Sequence, residues 1–237
     1  MSNTSLASVV FMALTMTLTS TMAHAGGDDD PLLAKLMLEE LETGVETDAP
    51  INFSGQAWVG HDMHKLWFKT EGEYQRRDAQ DVELQALYSR PIAPYWDLQL
   101  GLRVDIEPSP TRNWAVVGVQ GLAPYFFDVD AALFIGEEGR SALRLSAEYE
   151  LLITQKLILS PEIEMNLYGK DDMDVGIGSG LADVGAGLRL RYEIVREFAP
   201  YIGVDWSQKF GNTADFARAE GEDTQETQFV IGLRAWF

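Results

Sequence analysis

Trp96-Asp97-Leu98-Gln99-Leu100-Gly101-Leu102-Arg103-Val104-Asp105-Ile106 is the stretch that decides the fold. Trp96, Leu98, Leu100, Leu102, Val104 and Ile106 fall on every second position, with Asp97, Gln99, Gly101, Arg103 and Asp105 between them. A helix would scatter those leucines around its axis, whereas a strand sends one set to one face and the other set to the opposite face.

The same alternation recurs on both sides. Leu66, Phe68 and Tyr74 alternate with Lys65, Lys69, Glu71 and Glu73, and Val82, Leu84, Ala86 and Tyr88 oppose Asp81, Glu83 and Gln85. Further along, Val129, Ala131, Leu133 and Ile135 stand against Asp128 and Asp130, and Leu143, Leu145 and Ala147 against Arg144, Ser146 and Glu148. Ile163, Met165 and Leu167 oppose Glu162, Glu164 and Asn166, and Val184, Leu188 and Leu190 oppose Asp183, Arg189 and Arg191. Weaker strands are read at 52–59, 112–121, 201–210 and 227–237.

Two-faced strands also build soluble sandwiches, so other features must choose. These strands run to about 10–13 residues, the length that crosses a tilted bilayer, where soluble strands average about 5–6. One face is charged along its length, as suits a wet lumen. Aromatics gather near strand ends, among them Tyr88, Tyr95, Trp96, Trp114, Tyr125, Tyr168, Tyr201 and Trp236, and are expected to form interfacial girdles. The last strand ends on Phe237, with Phe229, Ile231, Leu233 and Ala235 on its face, a pattern resembling the terminal signal of bacterial outer-membrane proteins. The expected fold is therefore an all-β, antiparallel up-and-down transmembrane barrel over 51–237. It has about ten strands counted from Lys65, with twelve as the alternative if 52–60 joins the wall. Short turns at Arg90–Pro94, Leu122–Tyr125, Ile153–Lys156 and Arg196–Pro200 are expected on the periplasmic side. Longer links at Glu107–Arg112, Gly169–Gly180 and Gly211–Gln225 are expected outside.

Residues 1–25 read as a signal peptide: an apolar stretch from Leu6 to Leu18, then Ala23-His24-Ala25 as cleavage pattern, although no Lys or Arg precedes it. The mature chain is then placed in the outer membrane of a Gram-negative bacterium, in contact with its lipid. Residues 26–50 form an acidic periplasmic segment. Within it 31–43 reads either as a helix capped by Asp30 and ended by Gly44, with Leu33, Leu36, Met37 and Leu41 on one side, or as a partly disordered arm.

The chain has no cysteine and a net charge of −19. Disulfides and thiolate metal sites are excluded, and a nucleic-acid partner is not expected, since phosphate binding needs clustered Lys and Arg. No His follows His64, so the general base of a barrel acyl hydrolase is missing, and an enzyme is not expected. The residues with ligand chemistry are His61-Asp62-Met63-His64. Imidazole suits copper, zinc and nickel, and a thioether suits Cu(I). The four read either as a metal site, which Glu71 and Glu73 would join from the lumen face, or as an ordinary polar turn followed by lumen charge pairing. The acidic stretch 170–174 lacks the spacing of an EF-hand and reads as a mobile outer loop.

Several ordered stretches resemble the copper resistance protein B family: Gln56-Ala57-Trp58-Val59-Gly60-His61-Asp62, Lys65-Leu66-Trp67-Phe68-Lys69-Thr70-Glu71-Gly72-Glu73, Leu87-Tyr88-Ser89-Arg90-Pro91-Ile92-Ala93-Pro94-Tyr95-Trp96-Asp97, Gly118-Val119-Gln120-Gly121-Leu122-Ala123-Pro124-Tyr125-Phe126-Phe127 and Arg196-Glu197-Phe198-Ala199-Pro200-Tyr201-Ile202-Gly203. The resemblance covers about 51–237. It implies an outer-membrane barrel of a copper-resistance system that binds copper ions or passes them across the membrane, beside a periplasmic multicopper oxidase. Residues 26–50 depart from the Met- and His-rich N-terminal region common in that family: Met37 is their only sulfur ligand and they hold no His. A passive or structural barrel without a metal role is the alternative.

Overall fold

The structure, a computed structural model, describes residues 30–46, 49–75 and 78–237. The expected leader, 1–25, lies outside the described residues. The strands are β1 (Leu33–Gly44), β2 (Ile51–His61), β3 (His64–Gln75), β4 (Asp78–Ala93), β5 (Trp96–Glu107), β6 (Arg112–Ala123) and β7 (Phe127–Gly136). They continue as β8 (Ser141–Tyr149), β9 (Leu151–Leu152), β10 (Leu157–Tyr168), β11 (Gly180–Tyr192), β12 (Phe198–Lys209) and β13 (Gln225–Trp236). Each pairs antiparallel with its neighbour, and β1 pairs with β13, so the sheet closes on itself. The two-residue β9 continues β8 in unchanged register along β10: Glu148 faces Glu162, and Leu151 faces Leu159. Among the described residues the ring thus has twelve members, not ten.

The extra members are β1 and β2. Segment 51–61 is part of the wall, and Leu33–Gly44 is a strand of the wall rather than a helix or a partly disordered arm. A bulge explains the misreading. The β1–β2 register shifts between Leu38 and Glu40, leaving Glu39 as the extra residue. Leu36 and Leu41 both remain on the exposed face, while Glu39, Glu40 and Glu42 all line the interior. One inserted residue changes the leucine spacing from even to odd, which imitates a helical stripe.

The outward row carries the apolar half of the alternation. Leu84, Leu100, Leu102, Leu133, Ile135, Ile202, Phe229 and Ile231 stand exposed around the wall. A continuous apolar band of this kind suits hydrocarbon, and closure leaves no unpaired edge for lipid to meet. The girdle expectation needs correcting at three positions. Trp114 and Tyr201 are 5% exposed and face the interior, and Tyr168 packs against the same interior cluster as Trp114. Cross-strand glycines make room for the first two. A Cβ on Gly136 would lie 2.7 Å from the Trp114 ring, and Gly232 lies against Tyr201 in the same way.

Both ends of the barrel chain lie at one rim: Leu33 pairs with Gly60, and Met37 with Trp236. That rim also carries the turns at 62–63, 94–95, 124–126, 153–156 and 193–197. The opposite rim carries the longer links 169–179 and 210–224, the second of which folds into helix α1 (Gly211–Glu220), ended by Gly221 in the left-handed conformation.

Candidate functional site

The β2–β3 hairpin turns through Asp62 and Met63 alone, which sets His61 directly opposite His64. Alternation places both imidazoles on the outer face, with Val59, Leu66 and Phe68. Tyr88 of β4 sits diagonally beside His64, its partner in the ladder being Leu66. The Tyr88 hydroxyl and His64 Nδ1 are hydrogen-bonded, and the two rings stack with centroids 5.9 Å apart. The sequence marks Tyr88 only as a girdle aromatic; its place one register step from His64 follows from the β3–β4 pairing.

Glu71 and Glu73 do not join this group. They lie seven and nine residues up β3 from His64, about 23 and 30 Å at strand rise, and they face the lumen. Glu71 accepts a hydrogen bond from Arg144 at 3.0 Å. Among the described residues no group of three or more His, Asp or Glu side chains is arranged to hold a metal ion.

The lumen is filled in two ways. On β4, β6, β7 and β8, Leu87, Trp114, Val116, Ala132, Phe134 and Ala142 pack into a core. Beside it a space of about 500 Å³ remains, lined by residues of all twelve wall strands and bordered by Leu87, Val116, Ala132 and Phe134 of the core. Ion pairs cross it as chords. Arg144 on β8 reaches Glu83 on β4 at 2.9 Å and Glu71 on β3 at 3.0 Å, although at ~4.8 Å per strand the way around the wall is about 19–24 Å. Lys69 on β3 meets Asp130 on β7 at 2.8 Å. Arg189 on β11 grips Glu42 on β1 through two bonds of 3.0 Å and also binds Glu40 and Glu162, while the Tyr201 hydroxyl donates to Glu42 at 3.0 Å. Arg103 and Arg144 lie over the Phe134 ring, at 4.6 and 5.6 Å from its centroid, where the ion pairs meet the core. Charge is not balanced: twelve carboxylates and five cationic side chains line the space among the described residues.

At the long-loop rim, 169–179 is pinned rather than loose. Asp172 receives Arg112 through Nε and Nη2 at 2.7 and 2.8 Å, and Arg140 through Nε at 2.9 Å. Asp171 accepts from the Ser179 amide and from Asn212, and the Gly178 amide donates to Thr213 in α1. Arg112 is buried, on the inward row of β6 with Trp114 and Val116, so this loop tucks into the barrel mouth. Burial opposes ionisation of Asp172, but the Arg112 hydrogen bonds and the charges of Arg112 and Arg140 outweigh it and hold the carboxyl below its ordinary range. Asp171 is lowered too, first by the Ser179 amide and then by Asn212.

The family model described as Copper resistance protein B precursor (CopB) matches residues 32–237. The chain belongs to the copper resistance protein B family. The match starts one residue before β1, so the family's own extent includes the strand that the leucine spacing had disguised. Copper resistance protein B of Escherichia coli is 45% identical over 204 residues, 85% of this chain and 69% of that protein. A Copper resistance protein B homolog of Pseudomonas syringae pv. tomato (strain ATCC BAA-871 / DC3000) is 46% identical over 180 residues. That match spans 76% of this chain and 61% of the homolog's length. Among solved structures the NanC porin (TM-score 0.55, 14% identity) and the KdgM porin (TM-score 0.52, 12% identity) share the fold. Each comparison covers 86% of this chain and 99% of the porin. The barrel of this chain is thus porin-like in its wall, with an interior crossed by ion pairs.

Proposed function

We propose that this chain is an outer-membrane barrel of a copper-resistance system, a binder or narrow conduit for copper ions rather than an enzyme. The family's name suggests copper as the metal, and the excess of carboxylates around the lumen space is the observation that carries the reading. A cleft lined by one sign of charge, within low-dielectric walls, concentrates counter-ions and repels co-ions. Copper ions are the cargo in this reading, and the chords through Arg144 and Arg189 narrow their route. Lipid covers the apolar outer row. The short-turn rim faces the periplasm, where a multicopper oxidase is the proposed partner.

The test is reconstitution of the refolded protein in vesicles enclosing a copper-sensitive dye, with reversal potentials measured in planar bilayers. Copper entry together with a cation-selective reversal potential is the expected result. The chords and the packed side of the lumen favour a second reading, a passive or structural barrel. A protein that neither admits copper nor binds it in detergent would establish that second reading instead.

A further inference from the structure

We propose that His61, His64 and Tyr88 form a metal-docking site on the outer face of the short-turn rim, outside the lumen. The two imidazoles are the ligands, and Tyr88 is the positioning residue. The inference rests on the copper-handling reading and gives it a location. Three observations meet here. First, the two-residue turn makes His61 and His64 direct cross-strand partners. Such partners hold their Cβ atoms about 4.5–5.5 Å apart, close enough for two ring nitrogens to share one ion at bonds of ~2.0–2.1 Å. Second, both rings are exposed at the end of the hairpin, where an ion can reach them without crossing the barrel. Third, His64 already has the outer partner that metal-bound histidines use. Its Nδ1 is engaged by the Tyr88 oxygen and its ring is held by the Tyr88 ring. An ion at Nε2 selects the tautomer in which Nδ1–H donates to that oxygen, so the hydrogen bond fixes both the ring orientation and the nitrogen offered. A plain polar turn has no need of that arrangement.

The donors suit a borderline divalent ion such as Cu(II). Met63, 49% exposed in the turn itself, adds a thioether within the same hairpin for Cu(I). Neither Glu71 nor Glu73 takes part.

The experiment is a Cu(II) titration of the untagged full chain refolded in detergent, followed by electron paramagnetic resonance. Every protein carries His24→Ala, so that the only imidazoles are the two in question. The parent should bind with nitrogen hyperfine structure from imidazole, and His61→Ala/His64→Ala should lose that signal. Tyr88→Phe keeps the stacked ring and removes the hydroxyl. It should weaken binding ~10–100-fold, the usual effect of deleting an outer-shell partner, and shift the copper spectrum. Far-UV circular dichroism of each variant should be unchanged, since all three side chains lie on the exposed rim. If the double His variant binds copper as the parent does, the site is elsewhere and the rim proposal falls while copper handling stands. If the parent binds none, the rim proposal falls, and copper handling falls with it only if the vesicles also admit none. If Tyr88→Phe matches the parent in affinity and spectrum, the positioning role is overturned.

Discussion

The apolar cluster and the ion-pair network of the lumen are built by the same wall and solve the same problem differently. Twelve strands enclose more width than one layer of inward side chains fills. In the cluster on β4, β6 and β7 the excess is taken up by Leu87, Trp114, Val116, Ala132 and Phe134, which pack as a soluble core does. Beside the cluster it is bridged by Arg189, Arg144 and their carboxylates around a space of about 500 Å³. Packing stabilises without direction. The chords stabilise only while each charge keeps its partner, and they leave room for ions.

The largest effect should follow from breaking a chord. Arg189→Ala strands Glu42, whose side chain is 3% exposed, and should cost about 4 kcal/mol in urea unfolding from bilayers. It should also raise conductance. Arg189→Met with Glu42→Gln should recover most of that stability, because the deeply buried carboxylate is then gone and the carboxylates left behind, Glu40 and Glu162, are more exposed. A double variant as unstable as the single one would mean that the chords are not what supports that part of the lumen. Leu87, 1% exposed, tests the apolar cluster. Leu87→Ala should cost about 3 kcal/mol with a smaller rise in conductance than Arg189→Ala, because Leu87 borders the space but carries no ion pair across it. A conductance rise as large as that of Arg189→Ala would erase the distinction between cluster and network.

A smaller effect is expected at the mouth. Asp172→Asn should remove about 1–2 kcal/mol of local stability from 169–179, read as faster amide exchange. The native latch should also respond to acid. A carboxyl depressed in the folded state contributes in full above ~pH 4 and loses that contribution as pH falls through the depressed value. Exchange in this loop should therefore quicken at low pH, and Asp172→Asn should leave only the step belonging to Asp171.

The wall was readable from residues because lipid and lumen impose a strict period of two, and strands such as Trp96–Glu107 keep it without interruption. β1 was hidden because Glu39 breaks the period once. The packed side of the lumen was hidden for a different reason. Leu87 and Phe134 sit on the inward rows of strands whose other inward residues are Gln85 or Asp130, and apolar residues on both faces dilute the alternation. At the candidate site, the ligand types at 61–64 were visible as a motif. Their outward direction, their separation from Glu71 and Glu73, and the link to Tyr88 all depend on register, which composition does not carry.

The pairing of β1 with β13 has a consequence for assembly. It joins positions almost two hundred residues apart, Met37 with Trp236, whereas the other ladders between wall strands join segments close in sequence. Closing so long a loop has the larger entropic cost, and no hairpin in the chain can prepare it in advance. Until residues 225–236 arrive, the growing sheet has two open edges, which hydrocarbon cannot satisfy. A chain shortened at either end of the barrel is therefore not a smaller barrel but an open sheet, and commitment to the membrane waits on the last strand.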